Sequence, residues 1–330
     1  MKLREIEFGP CLDAPGVRGF LREGYWPHHL PFFKNWYNFE GSTRVAKTTT
    51  LNKRQPPFAG NMPLFGYERH FTPIERFPRC IWFSFIRSET LNAVGLTGPG
   101  AQELVDTGYL YNPGPFMISY MSVAGSPEER LEECEQFVTL LEKSGKLHRW
   151  QTGLQLNLSC PNTGLDTSHL VEEGVAMLNI AARLGIPLLV KLNLHAPIEA
   201  AKEIANHEAC NGLCFTNALP FGSLKSIRWE KKFPDGSPLY NRNKQFGGGG
   251  YSGPEMLGMV IQYARSLRKA GVEKPFNVGG GIRSASNVDT LVSEGGLIRG
   301  HDSIFFASAA IVRPWNIHGI IRRAHELLGI

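Results

Sequence analysis

From about residue 116 onward the chain repeats one unit: a short apolar run followed by an amphipathic stretch at helical spacing. The apolar runs lie at 115–123, 154–158, 187–192, 212–216, 276–278 and 303–307, and they predict strands. Between and after them, Pro127–Ser144 and the segments 167–184, 198–207, 255–270, 285–294 and 315–328 predict helices. The first of these opens with Ser126 followed by Glu129, the pattern of a capping box. Several of these strands are apolar throughout, without alternation, so both of their faces need cover. That is the mark of a parallel sheet wrapped by helices. Periodicity does not separate a closed barrel from an open doubly wound sheet, and the length of 330 residues favours the barrel. The expectation is an α/β chain forming a (β/α)8 TIM barrel as one domain over residues 1–330. Two stretches interrupt the alternation and predict rim insertions. One, near 22–41, is crowded with aromatic residues; the other, near 221–245, is polar and basic. The aromatic one reads as a decoration packed on the barrel, with a lid or a dimer contact as the other readings.

Composition narrows the function. Hydrophobic residues make up 42% and charged residues 20%, an ordinary globular balance. A net charge of +5 with scattered Lys and Arg suits an anionic small molecule and not a nucleic acid. The six cysteines include no C-x-x-C pair, so no metal site is expected, and free thiols fit a reducing compartment. The first residues form no apolar leader and no run approaches a membrane span, so a cytoplasmic protein is expected.

In a barrel of this type the chemistry sits where strands end at the C-terminal face. Asn157-Leu158-Ser159-Cys160-Pro161-Asn162 places two amides and a thiol within six residues of one strand end. Lys191 lies within an apolar run, Thr216-Asn217 follow another, and Gly279-Gly280-Gly281 follow a third. The last strand runs into Ala307-Ser308-Ala309. Glycines without Cβ let backbone N–H groups approach an anion, so Gly280 and Gly281 with Ser308 read as a phosphate cradle. Each has a plainer reading. A lone cysteine is more often a buried structural thiol. Asn162 fits a turn, Asn157 a loop cap, and a strand-end lysine a solvated charge. The histidines have no ligand spacing.

Taken together these segments resemble the dihydroorotate dehydrogenases, most of all the cytosolic class with a cysteine base. Besides Asn157–Asn162, the resemblance rests on Ala46-Lys47-Thr48, Gly60-Asn61-Met62-Pro63, Leu91-Asn92-Ala93-Val94-Gly95-Leu96 and Ser122-Val123-Ala124-Gly125. It continues through Val190-Lys191-Leu192, Thr216-Asn217, Gly249-Gly250-Tyr251-Ser252-Gly253 and the 279–282 turn, covering about residues 6–325. It implies FMN-dependent oxidation of dihydroorotate to orotate in pyrimidine synthesis. Cys160 would be the base at ring carbon 5, and a hydride would pass to FMN. Lys47 would lie between flavin and substrate. Asn92, Asn157, Asn162 and Asn217 would hold the ring, with Gly95 and Leu96 at its carboxylate. Ala14, Gly16, Thr48, Ser122, Lys191, Thr216, Gly253, Gly280, Gly281 and Ser308 would line the flavin. A homodimer, with room for a separate electron-transfer subunit, follows from the same resemblance; the electron acceptor stays open among fumarate, NAD and a quinone.

Some positions depart from the family pattern. Ala218 stands where a Ser or Thr is usual, Glu255-Met256-Leu257-Gly258 follows Gly253-Pro254, and the 22–41 insertion is long. Three other functions remain alongside. A related dihydropyrimidine or uracil-type oxidoreductase would lack a carboxylate site. A tRNA dihydrouridine synthase would need a basic helical domain that the chain does not carry. A non-catalytic flavin-barrel binding protein would not need the thiol and the amides together.

Overall fold

The structure is a computed structural model, and it describes residues 1–33, 35–54, 64–65, 72–73, 77–149, 151–158 and 169–330. Eight parallel strands form its centre. In chain order they are β1 (Cys11–Asp13), β2 (Arg44–Val45), β3 (Phe116–Tyr120), β4 (Thr152–Asn157), β5 (Leu188–Leu192), β6 (Gly212–Phe215), β7 (Phe276–Gly279) and β8 (Ser303–Phe306). From β2 to β8 each pairs with the next in sequence, and β8 pairs with β1. The ring closes just ahead of β2. Thr43 donates its N–H to the Cys11 carbonyl and accepts from the Asp13 N–H, both at 3.0 Å. The fold is therefore a closed (β/α)8 barrel.

Local sequence explains the elements. Strands β3, β4 and β5 are buried along their whole length, as the unbroken apolar runs require. The helix Pro127–Ser144 starts where Ser126 Oγ accepts the Glu129 N–H at 3.2 Å and Glu129 returns a carboxylate to the Ser126 N–H at 3.0 Å. It ends at Gly145, whose φ of 62° closes the last turn. Its inner face carries Cys134, Phe137, Val138 and Leu141, and Phe137 stacks on Tyr120 of β3 at 3.8 Å. The next expected helix, 167–184, is described from Leu170 to Ala182, its first residues falling outside the described set.

Two features differ from the expectation. The 221–245 stretch is not loop throughout: it holds the short helices Trp229–Lys232 and Pro238–Arg242. Both belong to a rim structure built on a four-stranded antiparallel sheet, in the order Leu219–Pro220, Gly250–Ser252, Glu89–Asn92, Ile81–Ser84. Strands of two to four residues are too short to leave a period in sequence. The sheet has its own core around Cys80, Leu91, Leu219, Phe233, Leu239 and Tyr251. It joins the insertion after β2 to the insertion after β6 across the barrel mouth. The aromatic stretch 22–41 holds two 3-10 turns, Trp26–His29 and Pro31–Phe33. It packs on the barrel through Phe39, stacked on Phe306 of β8 at 6.3 Å.

At the opposite, N-terminal face one carboxylate ties the ends of two strands. Asp302 is fully buried. It takes both oxygens to Arg268 Nη2 at 2.7 and 2.8 Å and accepts the Phe276 and Ile298 N–H groups at 2.7 Å each. Removing it would leave the part-buried Arg268 guanidinium without its carboxylate and two backbone N–H groups without their acceptor. Asp302→Ala should therefore lose about 3–5 kcal/mol of stability, read as a lower denaturant midpoint. A loss below about 1 kcal/mol would show that the cluster contributes no more than a surface ion pair.

Candidate active site

The C-terminal ends of the strands open into a cavity of about 1530 Å³. That exceeds the roughly 300–1,000 Å³ of a typical small-molecule site. Seven of the eight strand ends reach it. Ala14 and Gly16 follow β1, Lys47 and Thr48 follow β2, and Asn157 ends β4. Lys191 lies in β5, Thr216 and Asn217 follow β6, Gly280 and Gly281 follow β7, and Ser308 follows β8. The rim sheet adds Asn92, and the loop after it adds Gly95 and Leu96.

Hence the described residues expected from the sequence meet at one place, with two exceptions. Ser122 is turned to Tyr120, its hydroxyl 3.0 Å from the phenol, and does not line the cavity. Gly253 is also outside it. A Cβ there would lie 2.0 Å from the Tyr251 hydroxyl, so the glycine is required by packing of the rim sheet. Cys160 and Asn162 lie outside the described residues.

The polar end of the cavity is built from strands and is correspondingly fixed. Asn157 and Lys191 are register partners on adjacent strands. Asn217 Nδ2 donates to Asn157 Oδ1 at 2.8 Å, which orients both amides. Lys191 is only 5% exposed, with its ammonium 5.3 Å from the centre of the Phe305 ring. Lys47 donates to the Thr97 carbonyl and lies 4.6 Å over the Phe20 ring. Thr48 shares a hydrogen bond of 2.8 Å with Ser119 inside the barrel. The Asn92 amide donates to the Gly250 carbonyl at 3.4 Å across the rim sheet.

The backbone here has unusual geometry. Gly280 and Gly281 take φ of 125° and 75°, and a Cβ on Gly281 would lie 2.6 Å from the Leu257 nitrogen. Only glycine fits that turn, which leaves bare backbone on the cavity wall. Gly95 and Leu96 take φ of 65° and 60°, and Leu96 is one of the few non-glycine residues in that region. The turn is held by Thr97 Oγ1 donating to the Val94 carbonyl at 2.9 Å and Arg54 Nε donating to the Gly95 carbonyl at 3.3 Å.

Charge is one-sided. Among the described residues the cavity is lined by the cations Arg22, Lys47, Arg79, Lys191 and Arg242 and by a single carboxylate, Glu23. Burial pushes the Glu23 carboxyl up, and the N–H groups of Phe20 and Leu21, at 2.8 and 2.6 Å, oppose that. Burial, with His29 and Arg18 nearby, lowers His28 to about 4. His28 is thus neutral at physiological pH, and the positive field comes from lysine and arginine. The site favours anions.

Sequence reading of strand ends missed a second set of lining residues: Tyr25, His28 and Trp36 from the 22–41 insertion, Arg79 and Phe83 from the rim, and Trp315 beyond β8. Tyr25, His28 and Trp36 lie in an insertion without a period, and Arg79, Phe83 and Trp315 stand at no predicted strand end.

No protein-family model matches the chain. Among curated proteins it is similar to the catalytic subunit of dihydroorotate dehydrogenase B (NAD(+)) from Oceanobacillus iheyensis, at 28% identity over 250 residues and 72% of each chain. Among solved structures it aligns with tryptophan synthase of Pyrococcus furiosus. In the α2β2 complex the match is 14% identical, over 98% of this chain and 99% of that one, at a TM-score of 0.41. For the α-subunit alone it is 15% identical over the whole of both chains, at 0.42. The closed strand ring and the curated match together make the chain a (β/α)8 barrel related to the dihydroorotate dehydrogenases.

Proposed function

We propose that the chain is a cytoplasmic, FMN-dependent oxidoreductase that converts dihydroorotate to orotate. The observation that carries this reading is the meeting of Asn92, Asn157 and Asn217 with Lys47 and Lys191 in one cavity. A pyrimidine ring presents alternating N–H and C=O groups, and a carboxamide offers a donor and an acceptor from one planar group. A site walled by amides also rejects rings that leave them unpaired. The Gly95-Leu96 turn supports the carboxylate: both residues line the cavity in turn geometry, and backbone N–H groups of such turns can hold an anion. A strained Leu96 in a cavity wall is where such strain is retained for binding.

FMN fits the same wall. Gly280, Gly281 and Ser308 would hold its phosphate, on backbone that a side chain would obstruct. Ala14, Gly16, Thr48 and Thr216 would border its ring system, with Lys191 supplying positive charge beside it. When bound, FMN supplies the two-electron acceptor that ring oxidation requires.

The chain's own residues then bind, orient and move a proton. Asn92, Asn157 and Asn217, with Asn162, hold the ring in plane. Lys47 lies over the substrate and offsets its negative charge. Cys160 takes the proton from ring carbon 5 onto sulfur. That role rests on the Asn157–Asn162 motif. It also fits the other thiols: the five described cysteines are all buried, and burial pushes Cys134 and Cys214 up to about 12 and Cys210 to about 11. Those thiols are inert as bases near neutral pH. The relative is named the catalytic subunit of dihydroorotate dehydrogenase B (NAD(+)), which supports a separate electron-transfer subunit; the homodimer rests on the sequence resemblance alone. No described helix is long and apolar enough to cross a membrane.

Two outcomes test this reading. The purified protein should be yellow, with one FMN per chain. Gly281→Ala, forced against Leu257, should weaken FMN binding by about tenfold or more in a fluorescence titration. Colourless protein that takes up no FMN would contradict the assignment. Cys160→Ala should keep its flavin and lose about 100-fold or more in turnover, the scale of general base catalysis. Cys160→Ser should retain part of the activity and gain with rising pH. Normal turnover by the alanine variant would remove Cys160 from the mechanism.

A further inference from the structure

The outer half of the cavity is built differently from the inner half. Eleven large apolar side chains are exposed among the described residues, and five of them line this one cavity: Trp36, Phe77, Phe85, Ile311 and Trp315. They are between 38% and 68% exposed. Scattered exposed apolar residues need no explanation, but a concentration at the mouth of a polar, cationic cavity does.

The residues come from three separate elements. Trp36 belongs to the 22–41 insertion, and its ring meets that of Trp315, beyond β8, edge to face at 5.4 Å. Phe85 follows the rim strand Ile81–Ser84 and packs against Phe83 at 5.0 Å. That strand touches the short helix Ala309–Val312, so the rim sheet and the end of β8 meet at the mouth. Each element leaves part of an aromatic face open to the cavity.

The mouth is also charged. Arg242 Nη1 donates to the Arg79 carbonyl at 3.1 Å and to the Ile81 carbonyl at 2.7 Å. This fixes the Arg242 guanidinium on the backbone that carries Arg79, and both residues line the cavity. Cationic side chains and open rings lining one cavity mouth suit an anion with a planar apolar body. The surface is concave and continuous with the strand-built amides, which suits a small molecule better than a flat protein face.

We propose that the cavity mouth is a second binding subsite, which takes a planar aromatic molecule carrying an acidic group between the Trp36–Trp315 wall and the Arg79–Arg242 edge. It is distinct from the amide-lined end, so both ends can be filled at once. The subsite does not depend on the identity of the inner substrate.

Anilinonaphthalene sulfonate is the probe, titrated by fluorescence into the purified holoprotein. One dye per chain should bind and should stay bound when orotate is saturating. Trp315→Leu and Trp36→Ala, both at half-exposed positions, should each weaken it about tenfold with an unchanged unfolding midpoint. Arg79→Gln and Arg242→Gln should each weaken it by about fivefold to tenfold. They should also reduce its advantage over neutral N-phenylnaphthylamine. Displacement of the dye by orotate would place it at the inner end and overturn the proposal. So would equal affinity for the neutral dye, which indicates a lipid-like occupant, or unchanged affinity in both tryptophan variants.

Discussion

The site depends on closure of the parallel sheet between β1 and β2. Two hydrogen bonds on Thr43 join the ring, and they change what the strand ends can do. In an open sheet the loops after the first and last-paired strands would lie at opposite edges, each with unpaired backbone groups. Closed, the same loops share one mouth. Ala14 and Gly16 then face the lysine of β5 and the glycine turn after β7 across one cavity. Convergence of residues more than two hundred positions apart needs no further device.

Insertions complete what the strands begin. The rim sheet carries Asn92 over the mouth, and a buried carboxylate anchors it. Glu89 is fully buried in that sheet and is paired with Arg87 at 2.7 Å, Lys232 at 2.6 Å and the Tyr251 hydroxyl at 3.0 Å. A charge removed from water is tolerated only with such partners. The 22–41 insertion is anchored by different means. Arg18, paired with buried Asp13 at the end of β1, lies 5.2 Å from the Phe39 ring centre, and Tyr25 donates its hydroxyl to the Gly16 carbonyl at 2.6 Å. The strands supply an amide-lined inner end, and the insertions an aromatic outer end.

What the sequence discloses follows from that division. Asn157, Lys191, Asn217, Gly280 and Ser308 were legible because each stands at the end of an apolar run, and the barrel sends all such ends to one face. The rim sheet was not legible. Its strands are too short to show alternation, and Tyr251 and Glu89 pair across 162 positions of sequence. Arg79, Arg242 and Trp315 carry no local mark, because what makes them a site is proximity created by the insertions. Gly253 has a second reason to be glycine that sequence does not disclose: in the fold it makes room for the Tyr251 phenol. Ser122 likewise stands at a strand end yet turns to Tyr120. The motif around Cys160 is the part that stays a sequence argument, since Cys160 and Asn162 lie outside the described residues.

The central claim is that this barrel oxidises a dihydropyrimidine ring carrying a carboxylate. The direct measurement is anaerobic mixing of the holoprotein with dihydroorotate and, separately, with dihydrouracil, following the flavin absorbance. The account predicts prompt loss of the oxidised flavin band with dihydroorotate and little change with dihydrouracil. No loss with dihydroorotate, or equal loss with both, would contradict it.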